Sequence, residues 1–186
     1  MRKIIYAYNI SLDGYVEGPD GNFDWTEPPE DLHRFFGDLT RSIGTEINGR
    51  RMWETMAPDW TTADQNMDMP EYMRDYSRDW KQSDKVVVST TLDHVDGARL
   101  IKDNVVEEVR KIKEGEGRPI GVGGATLAST LNDAGLIDEY VCVVWPVVVG
   151  SGKPMFMGVD RQHNLRLIEV RQFSNGAVLL HYRKAD

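Results

Sequence analysis

Residues 141–149 read VCVVWPVVV. The run carries no charge, and most of it is β-branched. It falls far short of the roughly 18 residues of a membrane helix, and its composition favours an extended strand. A strand that is apolar on both faces has to be covered on both faces, which is the situation of a sheet sandwiched between helices. That demand constrains the fold more than any other feature of the chain. Strand-like stretches recur at 3–10, 46–48, 85–89, 118–122, 140–146, 165–173 and 177–183. Ser174-Asn175-Gly176 between the last two predicts a tight hairpin turn with positive φ.

Helical patterns fill the gaps. Leu32, Phe35, Phe36 and Leu39 are in helical register within 28–43, RRMWETM predicts a short helix after the second strand, and residues 70–82 predict another. In 103–117, Asp103 stands as N-cap before a stripe of Val105, Val106, Val109 and Ile112. Leu127, Leu131 and Ala134 share a face of the next helix, which Gly135 closes as a left-handed cap with Leu136 folding back. Strands alternating with helices and ending in an antiparallel pair define an α/β sheet with helices on both faces, in one domain over 1–186.

Composition narrows the function. The 186 residues are 40% hydrophobic with a net charge of −8, a poor match to nucleic acid, and no block of Lys or Arg occurs. MRKIIYAYNI lacks an h-region and cleavage site, so it reads as the first strand of a cytoplasmic protein with no membrane segment. The single cysteine, Cys142, excludes an internal disulfide and fits a buried thiol. His33, His94, His163 and His181 show no metal-ligand spacing, so no metal site is expected.

Three strand ends invite an anion. Gly123-Gly124 lies where a strand hands over to a helix. It is either a cradle that lets a diphosphate approach unpaired helix amides or simply a tight turn needing unusual dihedrals. A dinucleotide fingerprint of the G-x-G-x-x-G type is excluded, because Thr126 stands at the third glycine. Arg50 and Arg51 follow Gly49 at the start of a helix. Positive charge is unfavourable there unless an anion joins it; the alternative is a solvated surface pair. Ser89, Thr90 and Thr91 end a third strand with no carboxylate before Asp93. Hydroxyls in that place suit a 2′-phosphate better than a free ribose, though they also suit a plain loop. Together the three fit a phosphate-rich dinucleotide, NADPH in particular.

In chain order, SLDGYVEGPDG, NGRRMWE, VVVSTTL, the long segment from IGVGGATL to GSGKPMF and the closing hairpin resemble the dihydrofolate reductase-like superfamily. Within it they are most similar to the reductase domain of riboflavin biosynthesis, the RibD C-terminal type. The resemblance implies a three-layer α/β/α fold with a mixed, mostly parallel sheet of about eight strands. It implies Gly123 and Gly124 at the cofactor diphosphate, joined by a cis peptide, with Ala125, Thr126 and Leu127 over the phosphates and Gly49, Arg50 and Arg51 opposite. Ser89 and Thr90 would meet the 2′-phosphate, Ala7 and Ile10 the nicotinamide, and Val122 the junction of the two rings. The acid of the pterin-type site would fall on Asp31 or its neighbour Glu30, and Asp13 matches the riboflavin-type segment that faces substrate. Met52 and Trp53 stand where the family usually has a threonine. No zinc deaminase motif is present.

The activity implied is NADPH-dependent hydride transfer to a heterocyclic or sugar-phosphate substrate, as in 5-amino-6-(5-phosphoribosylamino)uracil reductase. The alternatives are a pterin-type reductase and a non-catalytic nucleotide-binding relative. Trp25, Phe35 and Trp53 are candidates either for substrate stacking or for the core. Residues 141–149 and the closing hairpin are candidates for a homodimer interface.

Overall fold

The computed structural model describes residues 1–159 and 162–185. Strands β1 (Ile4–Ile10), β3 (Thr45–Gly49), β4 (Asp84–Val88), β5 (Arg99–Ile101), β6 (Ile120–Gly123) and β7 (Glu139–Val144) are parallel. The strand β10 (Val178–Lys184) runs against β7, and β9 (Leu165–Gln172) runs against β10, so β9 points the same way as the first six. The eight form one sheet in the order β5-β4-β3-β6-β1-β7-β10-β9. The short β2 (Tyr15–Glu17) and β8 (Lys153–Pro154) pair separately beside it. The helices are α1 (Glu30–Ser42), α2 (Arg50–Trp60), α3 (Glu71–Trp80), α4 (Val105–Glu114) and α5 (Ala125–Asp133).

Both faces of the sheet's centre are buried, as the apolar run requires over Val141–Val143; the strand ends at Val144, however, and the rest of 141–149 leaves the sheet with Pro146 and Val148 exposed. Side chains alternate along a strand, so Ile4 and Tyr6 of β1 and Tyr140 and Cys142 of β7 enter one core with Val109 of α4 and Leu127 and Leu131 of α5. Ile5, Val141 and Val143 enter the other with Leu32 of α1, Phe173 and Leu179. The closing hairpin turns at Gly176, φ +85°, while Asn175 keeps a negative φ. The turn is therefore a three-residue loop closed by glycine, with Phe173 N–H on the Ala177 carbonyl at 2.9 Å. Gly135 has φ +71°, and Leu136 N–H returns to the Leu131 carbonyl at 2.9 Å, as its left-handed cap predicts.

Three local expectations are corrected. The cap of α4 is Asn104 in the left-handed region, φ +47°, because the chain must turn there before Val105 can enter the core face; Asp103 precedes the turn. α2 continues past Met56 through Pro58 to Trp60, where the proline has no N–H to give Glu54 and the helix stops two residues later. The strands β2, β5 and β8 are two or three residues long, too short to show any periodicity.

At the start of β7, Glu139 is only 4% exposed and ties three strands together. It accepts from Lys3 at 2.8 Å, His181 at 3.0 Å and Arg183 at 2.8 Å. Burial alone raises its pKa, but Lys3, Arg183 and His181 outweigh that and the net shift is downward. A lowered carboxylate pKa contributes stability that is complete above the unfolded-state pKa and is lost as pH falls through the folded one. Glu139→Gln is expected to lower Tm by about 5 °C at neutral pH, with the gap from wild type closing towards about pH 3. Thermal melts across that range check both statements.

Candidate functional site

The sheet places two helix starts side by side. β3 and β6 are parallel neighbours with Asn48 opposite Gly123, and each runs directly into a helix: Gly49 caps α2 and Gly124 caps α5. The two caps are neighbours: a Cβ added to Gly124 would lie 3.6 Å from Gly49 N, 3.7 Å from Gly49 Cα and 3.8 Å from Met52 Cβ. Gly124 has φ +100°, a region that glycine enters freely. Gly123 is needed for a different reason. Its Cβ would fall 2.0 Å from Asn48 Oδ1 and 2.8 Å from Met52 Cγ, so side chains of β3 and α2 already fill that space. The tight-turn reading applies at Gly124, whereas Gly123 makes room for Asn48 and Met52 of the chain itself. The expected cis bond between Gly123 and Gly124 is absent: every peptide bond among the described residues is trans, and the positive φ of Gly124 makes the turn instead.

Neither α2 nor α5 has a side-chain cap or an acidic residue in its first turn. By contrast α1 begins with Glu30 and Asp31, α3 with Glu71 and α4 with Glu107 and Glu108. The two helices whose amino ends converge are those left electrostatically open to an external anion. Arg50 and Arg51 lie exposed at the start of α2. The Arg51 guanidinium is 3.4 Å from Glu17, which also takes Lys153 at 2.8 Å.

From this ledge a cleft of about 760 Å³ runs inward between the sheet, α1, α2 and α3. Of the residues singled out from sequence, Ala7, Gly49, Arg50, Arg51, Val122, Gly123, Gly124, Ala125, Thr126 and Leu127 all line it. Ile10, Ser89, Thr90, Asp13 and Asp31 do not. Val88 reaches the cleft, but the Ser89 hydroxyl next to it accepts the N–H groups of Thr91 and Leu92, each at 3.2 Å, and Thr90 is exposed on the same loop. Ile10 packs against the core on the α5 side.

The two aspartates hold loops. Asp13 accepts from Val149 N–H at 3.1 Å and Gly150 N–H at 2.7 Å. The Ser11 hydroxyl and these amides pull its pKa down to about 2. Asp31 accepts the Ser174 N–H at 2.8 Å and its hydroxyl at 2.9 Å, joining α1 to the hairpin turn; these bonds lower its pKa as well. Both carboxylates are ionised near neutral pH and turned to other partners. The three stacking candidates are packing residues: Trp25 sits edge-on to Trp145, Phe35 packs on Phe36 and Phe173, and Trp53 stacks on Trp80 at 5.9 Å.

The inner end of the cleft contains residues that sequence reasoning missed. His33, Phe36 and Thr40 face it from α1, Met56, Asp59 and Trp60 from α2, Tyr76 from α3 and Glu46 from β3. The His33 ring is ringed edge-on by Trp60, Tyr72 and Tyr76 at centroid distances of 5.7, 5.1 and 5.2 Å. It is 6% exposed, and its Nδ1 has no hydrogen-bond partner. Burial pushes its pKa down, so the imidazole is neutral near neutral pH. Burial pushes the Glu46 carboxyl up, against the pull of Lys85 at 3.6 Å. His33, Phe36 and Thr40 share one face of α1 by their i, i+3, i+7 spacing, but that spacing belongs to any helix face and does not mark a recess.

This sheet order and the position of the cleft define a dihydrofolate reductase-like α/β protein. The chain belongs to the RibD C-terminal domain family, whose model matches residues 2–179. It is 34% identical over 183 residues to the uncharacterized protein YyaP of Bacillus subtilis (strain 168), covering 97% of this chain and 94% of that one. Among solved structures it is similar to a candidate riboflavin biosynthesis protein from Shewanella sp. PV-4, with TM-score 0.75 and 19% identity over 100% of both chains. It is also similar to a dihydrofolate reductase from Enterococcus faecalis complexed with NADP(H), with TM-score 0.68 and 16% identity over 99% of this chain and 97% of that one.

Gly124→Ala would hold an alanine at φ +100° and is expected to cost about 1–2 kcal/mol, read from the urea midpoint at unchanged m-value.

Proposed function

We propose that this chain is an NADPH-dependent reductase of the riboflavin-biosynthesis type. The observation that carries the reading is the meeting of two uncapped, acid-free helix starts across Gly49 and Gly124 in one cleft. A diphosphate fits such a ledge, because it brings negative charge to the unpaired amides and to Arg50, with Arg51, already beside Glu17, at its margin. Membership of a family named for RibD supports the reductase reading, and the NADP(H) complex of a protein with the same fold supports the cofactor.

On this reading, Gly123, Gly124 and the first-turn amides of Ala125, Thr126 and Leu127 hold the diphosphate, with Gly49, Arg50 and Arg51 closing over it. Ser89 and Thr90, one step past Val88 at the cleft margin, take the 2′-phosphate. Ala7 and Val122 line the surface where nicotinamide and substrate rings meet, with Ile10 behind. Bound NADPH supplies the hydride, delivered to a polarised C=N or C=O carbon of a heterocyclic or sugar-phosphate substrate. The protein aligns the two rings in an apolar cleft and excludes bulk water from them. Asp31 and Asp13 anchor the loops around the cleft rather than donate a proton, so the proton that follows the hydride is assigned to a water in the cleft.

Trp60 lines the cleft, so titration with NADPH is expected to quench intrinsic tryptophan fluorescence. NADPH should bind at least about tenfold tighter than NADH, and Arg50→Ala should weaken NADPH by about tenfold. Equal affinity for the two cofactors would remove the role given to Ser89 and Thr90. No binding of either would remove the reductase assignment.

Dimerisation falls to the sheet edge, because β7 is already paired with β1 and β10. β9 exposes Leu167, Ile168 and Val170 there, and a second copy is assigned to that edge. Sedimentation velocity should show twice the 21.2 kDa chain mass, and a monomer at micromolar concentration refutes the assignment.

A further inference from the structure

Two glycines of β6 leave room in the floor of the cleft for polar side chains of β3. Side chains alternate along a strand, so Ile47 enters the core on the α5 side while Glu46 and Asn48 face the cleft. Glu46 lies opposite Gly121 and Asn48 opposite Gly123. With no side chain on β6 to stop them, both lean across it. A Cβ added to Gly123 would fall on Asn48 Oδ1, and one added to Gly121 would lie 3.7 Å from Glu46 Cγ. The register continues onto β1, where Ile5 pairs with Gly121 and Ala7 lies two residues further on. The floor therefore has two rows. Asn48, Gly123 and Ala7 lie beneath the glycine ledge, and Glu46, Gly121 and Ile5 lie about 7 Å further in.

Three carboxyls line the cleft among the described residues, those of Glu17, Glu46 and Asp59. Glu17 at the mouth is paired with Lys153 and Arg51, and Asp59 at the end of α2 is exposed to solvent. Glu46 is the one set into the floor, its side chain 15% exposed. Lys85 stands behind it at 3.6 Å, its ammonium committed to the Trp80 carbonyl and the Ser83 hydroxyl and placed over the Trp80 ring. The Asn48 amide and the Ser83 hydroxyl also reach the carboxyl. His33 of α1 and Tyr76 of α3 face the same space. Burial acts on these groups in different senses. It raises the Glu46 carboxyl, which keeps its proton to higher pH than an ordinary glutamate. It lowers His33, whose neutral ring has no proton to spare, and it raises Tyr8 and Tyr76, which hold theirs too tightly to lend.

We infer that Glu46 supplies the proton of the reduction, passing it through the cleft water to the acceptor atom beside the carbon that takes the hydride. The inference rests on the reductase reading and names the group behind the water assigned there. As the hydride leaves its C–H bond in NADPH and forms one on the C=N or C=O carbon, the π pair moves to the nitrogen or oxygen. That atom takes a proton from the water, and the water takes one from the Glu46 carboxyl. The acceptor is reduced by the two electrons that NADPH loses in becoming NADP+, and Glu46 is left a carboxylate. Lys85 stabilises that charge until solvent returns the proton.

Two measurements on the full chain test this. In the first, glutamate labelled at its side-chain carboxyl is titrated by carbon NMR, and the Glu46 signal is the one missing from both Glu46→Gln and Glu46→Asp. It is expected to titrate above the ordinary glutamate range. In the second, NADPH oxidation is followed against pH with 5-amino-6-(5-phosphoribosylamino)uracil and with dihydrofolate as probe acceptors. An acid that must start protonated gives a kcat that is level at low pH and falls as pH rises through its pKa. Wild-type kcat should fall where the NMR signal titrates. Glu46→Gln should lower kcat at neutral pH by about 100-fold, lose that inflection, and leave NADPH affinity and the KM for the acceptor unchanged. Glu46→Asp keeps an acid and should recover at least about tenfold of the loss, with its inflection moved from the wild-type position. A Glu46 signal within or below the ordinary range overturns the inference. So does a Glu46→Gln protein with wild-type kcat, or, where that variant does not fold, a Glu46→Asp protein whose inflection stays in place. Unchanged turnover in the variants removes the role of Glu46 alone, whereas oxidation of NADPH by neither acceptor in wild type removes the reductase reading and this role with it.

Discussion

The pairing of β3 with β6 is the constraint on which the rest of the molecule's chemistry depends. Two parallel strands that are neighbours in the sheet, each leading at once into a helix, must deliver two helix amino ends to the same edge. At Gly124 the positive φ turns the chain from β6 into α5 beside Gly49. The result is a concentration of unpaired N–H groups that a single helix could not supply. Acidic residues begin α1, α3 and α4 but neither of the two converging helices. A carboxylate there would satisfy the amides from within and compete with any external anion.

α2 then carries the logic from one end of the cleft to the other. Its amino end supplies positive charge from backbone and from Arg50 and Arg51. Its carboxyl end closes an aromatic recess with Trp60, His33 and Tyr76. Arg51, Glu17 and Lys153 link α2 to the small β2–β8 ribbon at the cleft mouth. These pairs are partly exposed, so each contributes little to stability. Their consequence is positional, because Arg51 is kept at the mouth.

Polar residues with a chemical look in the sequence were often recruited to hold loops. Asp13 clamps the 149–150 loop, Asp31 fastens α1 to the hairpin turn, and Ser89 closes its own turn. A carboxylate that accepts backbone N–H groups is stabilised in its charged form and loses its value as an acid near neutral pH. Nothing in SLDG or PEDL separates that role from catalysis, since the partners lie more than 130 residues away in sequence. The glycine ledge was legible because it depends on local succession alone: strand, glycine, helix. The inner recess was not, because it is assembled from α1, α2, α3 and β3, and no one of these shows an unusual pattern.

By itself the sequence determined the layered α/β architecture, through the apolar strand around Val141–Val144 and the alternation of strand with helix, and it determined which two helix starts carry neither a side-chain cap nor an acid. These follow from period, turn chemistry and composition, which act over a few residues. Only the tertiary structure decided which polar side chains face the cleft and which are spent on loops. It alone decided that a lone histidine on α1 would meet three aromatic rings from α2 and α3. Such contacts are set by strand order and helix packing, and a side chain's partner across the fold leaves no trace in its own neighbourhood of the chain.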